Sequence, residues 1–179
     1  MDKNALVSRL NKIIPGGVLE TRRFGRSENT SIWIEAQAVQ KIAMALKMDT
    51  EMKLDWLENL SVVEFEKVFI VTYFLRSLIT RHSLVIRASA VPVSPGSEFL
   101  FPSVRNIWPM GLPMEEEAEE MFGIVFSLNN ETQFQVKVNR LPENWKGFPL
   151  RKDYVFPSQF EDITHSRSFN KSNQKKSSL

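Results

Sequence analysis

The 179-residue chain carries 23 Lys+Arg against 21 Asp+Glu, a net charge of only +2, which supplies no bulk electrostatic pull toward nucleic acid. Its 42% hydrophobic and 25% charged residues match a globular domain with a packed core, and the length suits one domain with an appended tail. No cysteine is present, which excludes thiolate-held iron–sulfur clusters, disulfides, redox dithiols and a cysteine nucleophile.

Taken in chain order, Leu6, Leu10, Ile13 and Ile14 recur at helical spacing after Asp2, and Pro15-Gly16-Gly17 stops them. Val18–Phe24 and Ser31–Glu35 read as strands joined by the turn-rich Gly25-Arg26-Ser27-Glu28-Asn29. Val39, Ile42, Ala43 and Leu46 form the apolar stripe of a second helix ending near Asp49. Three strand-like runs follow, Leu60–Phe65, Val68–Leu75 and Leu84–Val91, which suggest an antiparallel ladder. Between Pro92 and Pro113 five prolines make the chain irregular. Next comes a short helix with Pro113 at its first position, glutamates in its first turn and Gly123 as left-handed cap. Ile124-Val125-Phe126 and Thr132–Val138 read as a hairpin across Asn129-Asn130.

From Leu141 to Phe156 there is no period, and from Ser158 to Leu179 the composition is that of a polar, disordered tail. Domain organisation is therefore a 1–140 core, an aperiodic 141–157 docking segment and a 158–179 tail. The expected fold class is α+β. A mixed, largely antiparallel sheet carries helices on one face, two layers in all, with an extended C-terminal segment.

The Met1-Asp2-Lys3-Asn4 start lacks the features of a signal peptide. The most apolar run, Val68–Leu75, is far shorter than the ~20 residues of a membrane-spanning helix. The expectation is a soluble, cytosolic chain able to sit in a membrane-attached assembly. No glycine pair has phosphate-cradling spacing and no G-x-S-x-G elbow occurs, which leaves nucleotide binding and serine hydrolysis without a motif. His82 and His165 are isolated, a poor start for a zinc site. In Glu115-Glu116-Glu117-Ala118-Glu119-Glu120 the i,i+4 pair Glu116 and Glu120 could serve metal or acid–base chemistry, but a solvated helix face is the plainer reading. The segment Leu141–Phe156 holds Trp145, Phe148, Tyr154 and Phe156, too much aromatic surface to leave in water. It either folds back over its own sheet or forms an interface with Arg151. The tail bases Arg167, Lys171, Lys175 and Lys176 are diluted by Ser and Asn and offset by Glu161 and Asp162, a solvated pattern.

Pro102-Ser103-Val104, Ile107-Trp108-Pro109, Glu115-x-Glu117 and Met121-Phe122-Gly123-Ile124 resemble, in order and spacing, the signature of the respiratory complex I 30 kDa subunit family, the C-type subunits of NADH:quinone oxidoreductase. Leu141-Pro142-Glu143-Asn144-Trp145-x-Gly147-x-Pro149-Leu150-Arg151-Lys152-Asp153-Tyr154 is similar to that family's C-terminal signature almost letter for letter. Leu57-Glu58-Asn59-Leu60-Ser61 and Thr72-Tyr73-Phe74-Leu75 are similar but less specific, and the resemblance spans most of residues 50–156. The chain departs from the pattern with Glu116 for the usual Arg and Pro113 for an aromatic. Ser127-Leu128-Asn129-Asn130 replaces a Gly-His-Pro step and paired arginines, leaving Arg140. These departures fall where the family has buried ion pairing, which the resemblance therefore does not carry over.

The resemblance implies a non-catalytic peripheral-arm subunit of a proton-translocating NADH:quinone oxidoreductase. It implies a place on the cytoplasmic face of the bacterial inner membrane, among other peripheral-arm subunits and packed against the D-type one, which helps form the quinone pocket. It implies no cofactor in this chain, with NADH, FMN, iron–sulfur clusters and quinone held by other subunits. Trp145, Phe148, Arg151, Lys152, Asp153 and Tyr154 would then be docking residues, with the last four on the surface, and Glu115, Glu117, Phe122, Gly123 and Ile124 the family motif. The alternatives are the equivalent subunit of a related membrane-bound hydrogenase or dehydrogenase, and a free-standing interaction module.

Overall fold

Leu10 on the inner face of α1 (Lys3–Ile13) is almost fully buried, as helical spacing from Leu6 requires. The structure, a computed structural model, describes residues 3–13, 15–16, 18–23, 30–92, 98–128, 140–157, 159–161 and 163–164. β1 (Val18–Arg23) pairs antiparallel with β2 (Thr30–Glu35), which passes through a 3-10 turn (Ala36–Ala38) into α2 (Val39–Met48). The predicted stripe Val39, Ile42, Ala43 and Leu46 is the buried face of α2. Asp49 ends it: Oδ1 accepts from the N–H groups of Glu51 and Met52, and Oδ2 pairs with Arg9 of α1 at 2.9 Å.

β3 (Trp56–Phe65) and β4 (Val68–Arg76) form a hairpin around Glu66-Lys67, both in the left-handed region at φ 49° and 67°. Two consecutive positive φ values match the right-handed twist of a two-residue hairpin, although neither residue is the Asn or Gly usual there. β5 (Ser83–Ala90) runs antiparallel to β4 but parallel to β2, and the five-stranded order is β1-β2-β5-β4-β3. The three runs form the expected antiparallel ladder β3-β4-β5, and the parallel contact of β2 with β5 makes the sheet mixed, as expected. One face is dry. Ile32, Ile86, Tyr73 and Leu60 lie side by side across four strands, each buried, because alternate residues point the same way. Leu10 of α1, the α2 stripe, and Ala118 and Phe122 of the third helix join the same core, so the helices cover this face. On the other face Arg87 lies over the Trp33 ring, 5.6 Å from its centroid.

The stretch expected to be irregular contains β6 (Phe99–Pro102), followed by α3 (Gly111–Phe122) and β7 (Ile124–Ser127), which pairs parallel with β6. α3 begins two residues before Pro113, so the proline is its third residue and not its first. Trp108 seats this unit on the main sheet, its fully buried Nε1 donating to Leu54 O at 2.9 Å. The expected partner of β7, Thr132–Val138, lies outside the described residues, as do Ile14, Phe24 and the turn to Asn29. The tail expectation is corrected at its start, because β8 (Gln159–Phe160) and β9 (Ile163–Thr164) pair antiparallel. Residues 165–179 lie outside the described residues.

Candidate functional site

α3 holds the sequence motif through its glutamates. Glu115 is completely buried. Its Oε2 accepts from Ser103 Oγ at 2.7 Å and its Oε1 from Val104 N at 2.6 Å, with Arg105 Nε 3.2 Å from Oε2. One turn on, Glu119 Oε1 accepts from Phe126 N, and Arg105 Nη2 donates to Phe126 O. These bonds lock the loop after β6, the helix and β7 together. Burial pushes the Glu115 carboxyl up to about 7, against the pull of the Ser103 and Val104 donors and Arg105. Burial, aided by the charge of Glu115, also raises Tyr73 well above its ordinary value. Its hydroxyl has no hydrogen-bond partner among the described residues.

The solvated-face reading of the glutamate run is therefore corrected. Glu115 and Glu119 tie the unit internally, and Glu120 accepts from the N–H groups of Arg140 and Leu141. Glu117 is exposed, its side chain at 63%. Inward-facing donors from the β6 loop and the backbone ends of other segments make the difference, and helix spacing could not reveal them. An ion pair of Arg105 with the buried Glu115 does form in this region.

At the other end of α3, Gly123 takes the left-handed cap at φ 67° and returns its N–H to Glu119 O at 2.8 Å. Glycine is needed twice over there, since a Cβ would stand 2.5 Å from the Phe148 ring and 2.7 Å from Arg151 Nη2. Arg151 fills the space: Nε donates to Phe122 O at 2.6 Å and Nη2 to Gly123 O at 3.4 Å. Its guanidinium lies 4.4 Å from the Phe148 ring centroid and 5.3 Å from that of Phe69. The side chain thus caps the last carbonyls of the helix while sandwiched between two rings. Burial lowers its pKa, and Asp153, Glu64 and Glu98 pull it back up.

Arg151, expected on the surface, is only 6% exposed. The helix C-terminus offers unpaired carbonyls that a guanidinium satisfies in pairs, and this outweighs exposure to water. Around it the segment folds back on the domain. Leu150 N reaches Met121 O, Lys152 N reaches Glu64 Oε2, and Lys152 Nζ lies over the Phe65 ring. Trp145 stacks on Tyr154 at 6.3 Å between centroids and meets Phe160 at 5.0 Å. Exposed at the segment's C-terminal end are Lys152, Asp153, and the apolar Leu150, Val155 and Phe156, with Val155 84% exposed. Of the named docking residues, Trp145, Phe148 and Tyr154 are half-buried. Sequence reading names Ser103 only within the family motif and misses Arg105 and Phe69, whose partners Glu115 and Arg151 lie on other elements.

No group of three or more metal-ligating side chains occurs among the described residues, and no described helix is long and apolar enough to cross a membrane.

The family model for the respiratory-chain NADH dehydrogenase, 30 Kd subunit, matches residues 32–160. The C-type subunit of NADH-quinone oxidoreductase from Roseiflexus castenholzii (strain DSM 13941 / HLO8) is 30% identical over 156 residues, covering 86% of this chain and 84% of that protein. Its counterpart from Chloroherpeton thalassium (strain ATCC 35110 / GB-78) is 32% identical over 138 residues, 76% of this chain and 52% of that one. Among solved structures, a chain of the membrane-bound sulfane sulfur reductase, an archaeal respiratory membrane complex, superposes with a TM-score of 0.54. It is 15% identical over 72% of this chain and 71% of that one, a likeness of fold.

Proposed function

Because this chain belongs to the respiratory-chain NADH dehydrogenase 30 kDa subunit family, we propose that it is a cofactor-free scaffold that holds the quinone-site subunit of a proton-translocating NADH:quinone oxidoreductase. It would sit peripherally on the cytoplasmic face of the bacterial inner membrane, while electrons pass from NADH to quinone through groups in neighbouring subunits. A chain without cysteine suits that role, since the thiolates that hold iron–sulfur clusters must come from elsewhere.

The observation that carries the reading is the Arg151 clamp. It spends an arginine and two phenylalanines on fixing one surface segment, whose outer side presents Leu150, Val155 and Phe156 to solvent. Rigid apolar anchors flanked by Lys152 and Asp153 have the composition of a binding patch, since pre-ordering them lowers the entropic cost of docking. Co-expression with the quinone-site subunit of the same assembly tests the role. Val155→Asp should melt within a degree or two of the parent, since Val155 is 84% exposed, and Phe156→Asp a few degrees lower, since it also gives up ring contacts with Trp145 and Tyr154. Each should weaken co-purification by tenfold or more, about 1.4 kcal/mol. Normal assembly of both variants would remove the segment from the interface.

A further inference from the structure

Among the described residues β3 is an edge strand, paired only with β4, and ten residues long. A groove of about 230 Å³ runs beside it, walled on the far side by Met114, Glu117, Ala118 and Met121 of α3 and closed by Leu150. The four consecutive residues Asn59, Leu60, Ser61 and Val62 all line it. Alternate side chains of a strand point to opposite faces, so four in a row share a groove only where it follows the backbone edge. In an antiparallel pair, every second residue of β3 turns its N–H and C=O away from β4, here toward the groove.

Soluble proteins guard long edges with charge, proline or a covering segment. Asn59–Val63 contains no charged residue and no proline, and the register irregularity between Leu57 and Asn59 lies before the groove begins. Val63 and Phe65 beyond it are more than half exposed. The opposite wall is Met-rich and adaptable, able to seat alternate apolar side chains. Glu117 is the carboxylate in the groove wall, 63% exposed and held by a long 3.9 Å contact with Arg140 that an incoming base can replace.

We propose that the free edge of β3 and the facing side of α3 form a cleft that takes an extended strand of a partner polypeptide, adding a sixth strand to the sheet. The incoming strand carries small apolar residues in alternation and a basic residue opposite Glu117. Backbone hydrogen bonds supply the affinity and the alternate pockets the register. This deepens the scaffold reading and rests on it.

Amide hydrogen exchange of the free chain and of its co-purified complex with the quinone-site subunit tests the proposal. On complex formation, the outward amides among residues 59–62 should slow by about tenfold or more, while those already bonded to β4 change little. Glu117→Lys should weaken the complex without moving the thermal midpoint of the free chain. If the complex forms and the 59–62 amides exchange as before, strand addition is wrong and the scaffold role stands. If wild type forms no complex, both fall. If these amides are already slow in the isolated chain, as a monomer or as a dimer, the edge is occupied by this chain or its second copy, and the partner-strand proposal is overturned.

Discussion

A single arginine separates two accounts of the C-terminal motif. Arg151 occupies the end of α3 and donates to two of its carbonyl oxygens. Arg151→Ala should therefore cost about 2–3 kcal/mol in chemical denaturation, since it removes the side-chain donor to the Phe122 carbonyl and empties the space between two rings, against about 0.5 kcal/mol for an exposed charge. Arg151→Lys should recover little, because an ammonium cannot reproduce the planar fork between Phe148 and Phe69. Loss below about 0.5 kcal/mol in either variant would restore the surface assignment. Glu115 carries a pH signature of its own. Its carboxyl titrates near 7 in the fold against an ordinary 4.5, so the fold favours the protonated form. That contribution is complete below about 4.5 and disappears as pH rises through 7. The gap in thermal midpoint between the parent and Glu115→Gln, which cannot ionise, should move against the parent across this window. A gap moving the opposite way would mean that Ser103, Val104 and Arg105 outweigh burial.

Elements divide by how local their causes are. α2 and the β3–β4 hairpin follow from runs whose period shows in the sequence and appear where expected, with β3 starting four residues earlier, at Trp56. β6 does not, for Phe99–Pro102 is four residues among prolines and exists as a strand because β7 lies beside it. β8 and β9 are shorter still, and aromatic contact supports them: Phe160 meets Trp145 at 5.0 Å, and Asn144 Nδ2 donates to Glu161 at 3.1 Å. Truncation after Phe156 should therefore lower stability by about 1 kcal/mol and shift Trp145 toward a wetter emission, since an aromatic pair is worth roughly that much. An unchanged melt would return the strand pair to the tail.

On the scale of the whole molecule, the absence of cysteine predicts a colourless protein without stoichiometric iron or zinc, checked by metal analysis of the purified chain. One equivalent of either metal would overturn the cofactor-free scaffold. The α+β class, the helices on one sheet face, the Gly123 cap and the family motif are all legible in the sequence. Each rests on short-range chemistry: apolar period, turn residues, and a glycine where φ must be positive. Only the tertiary structure decided that β2 runs parallel to β5, that β6 exists, that Glu115 turns inward, and that Arg151 is buried against the end of α3. Each of these depends on a partner far along the chain, from Ser103 for Glu115 to Phe69 for Arg151. A side chain's burial is set by the donors and rings that folding brings to it, and nearby sequence carries no record of them.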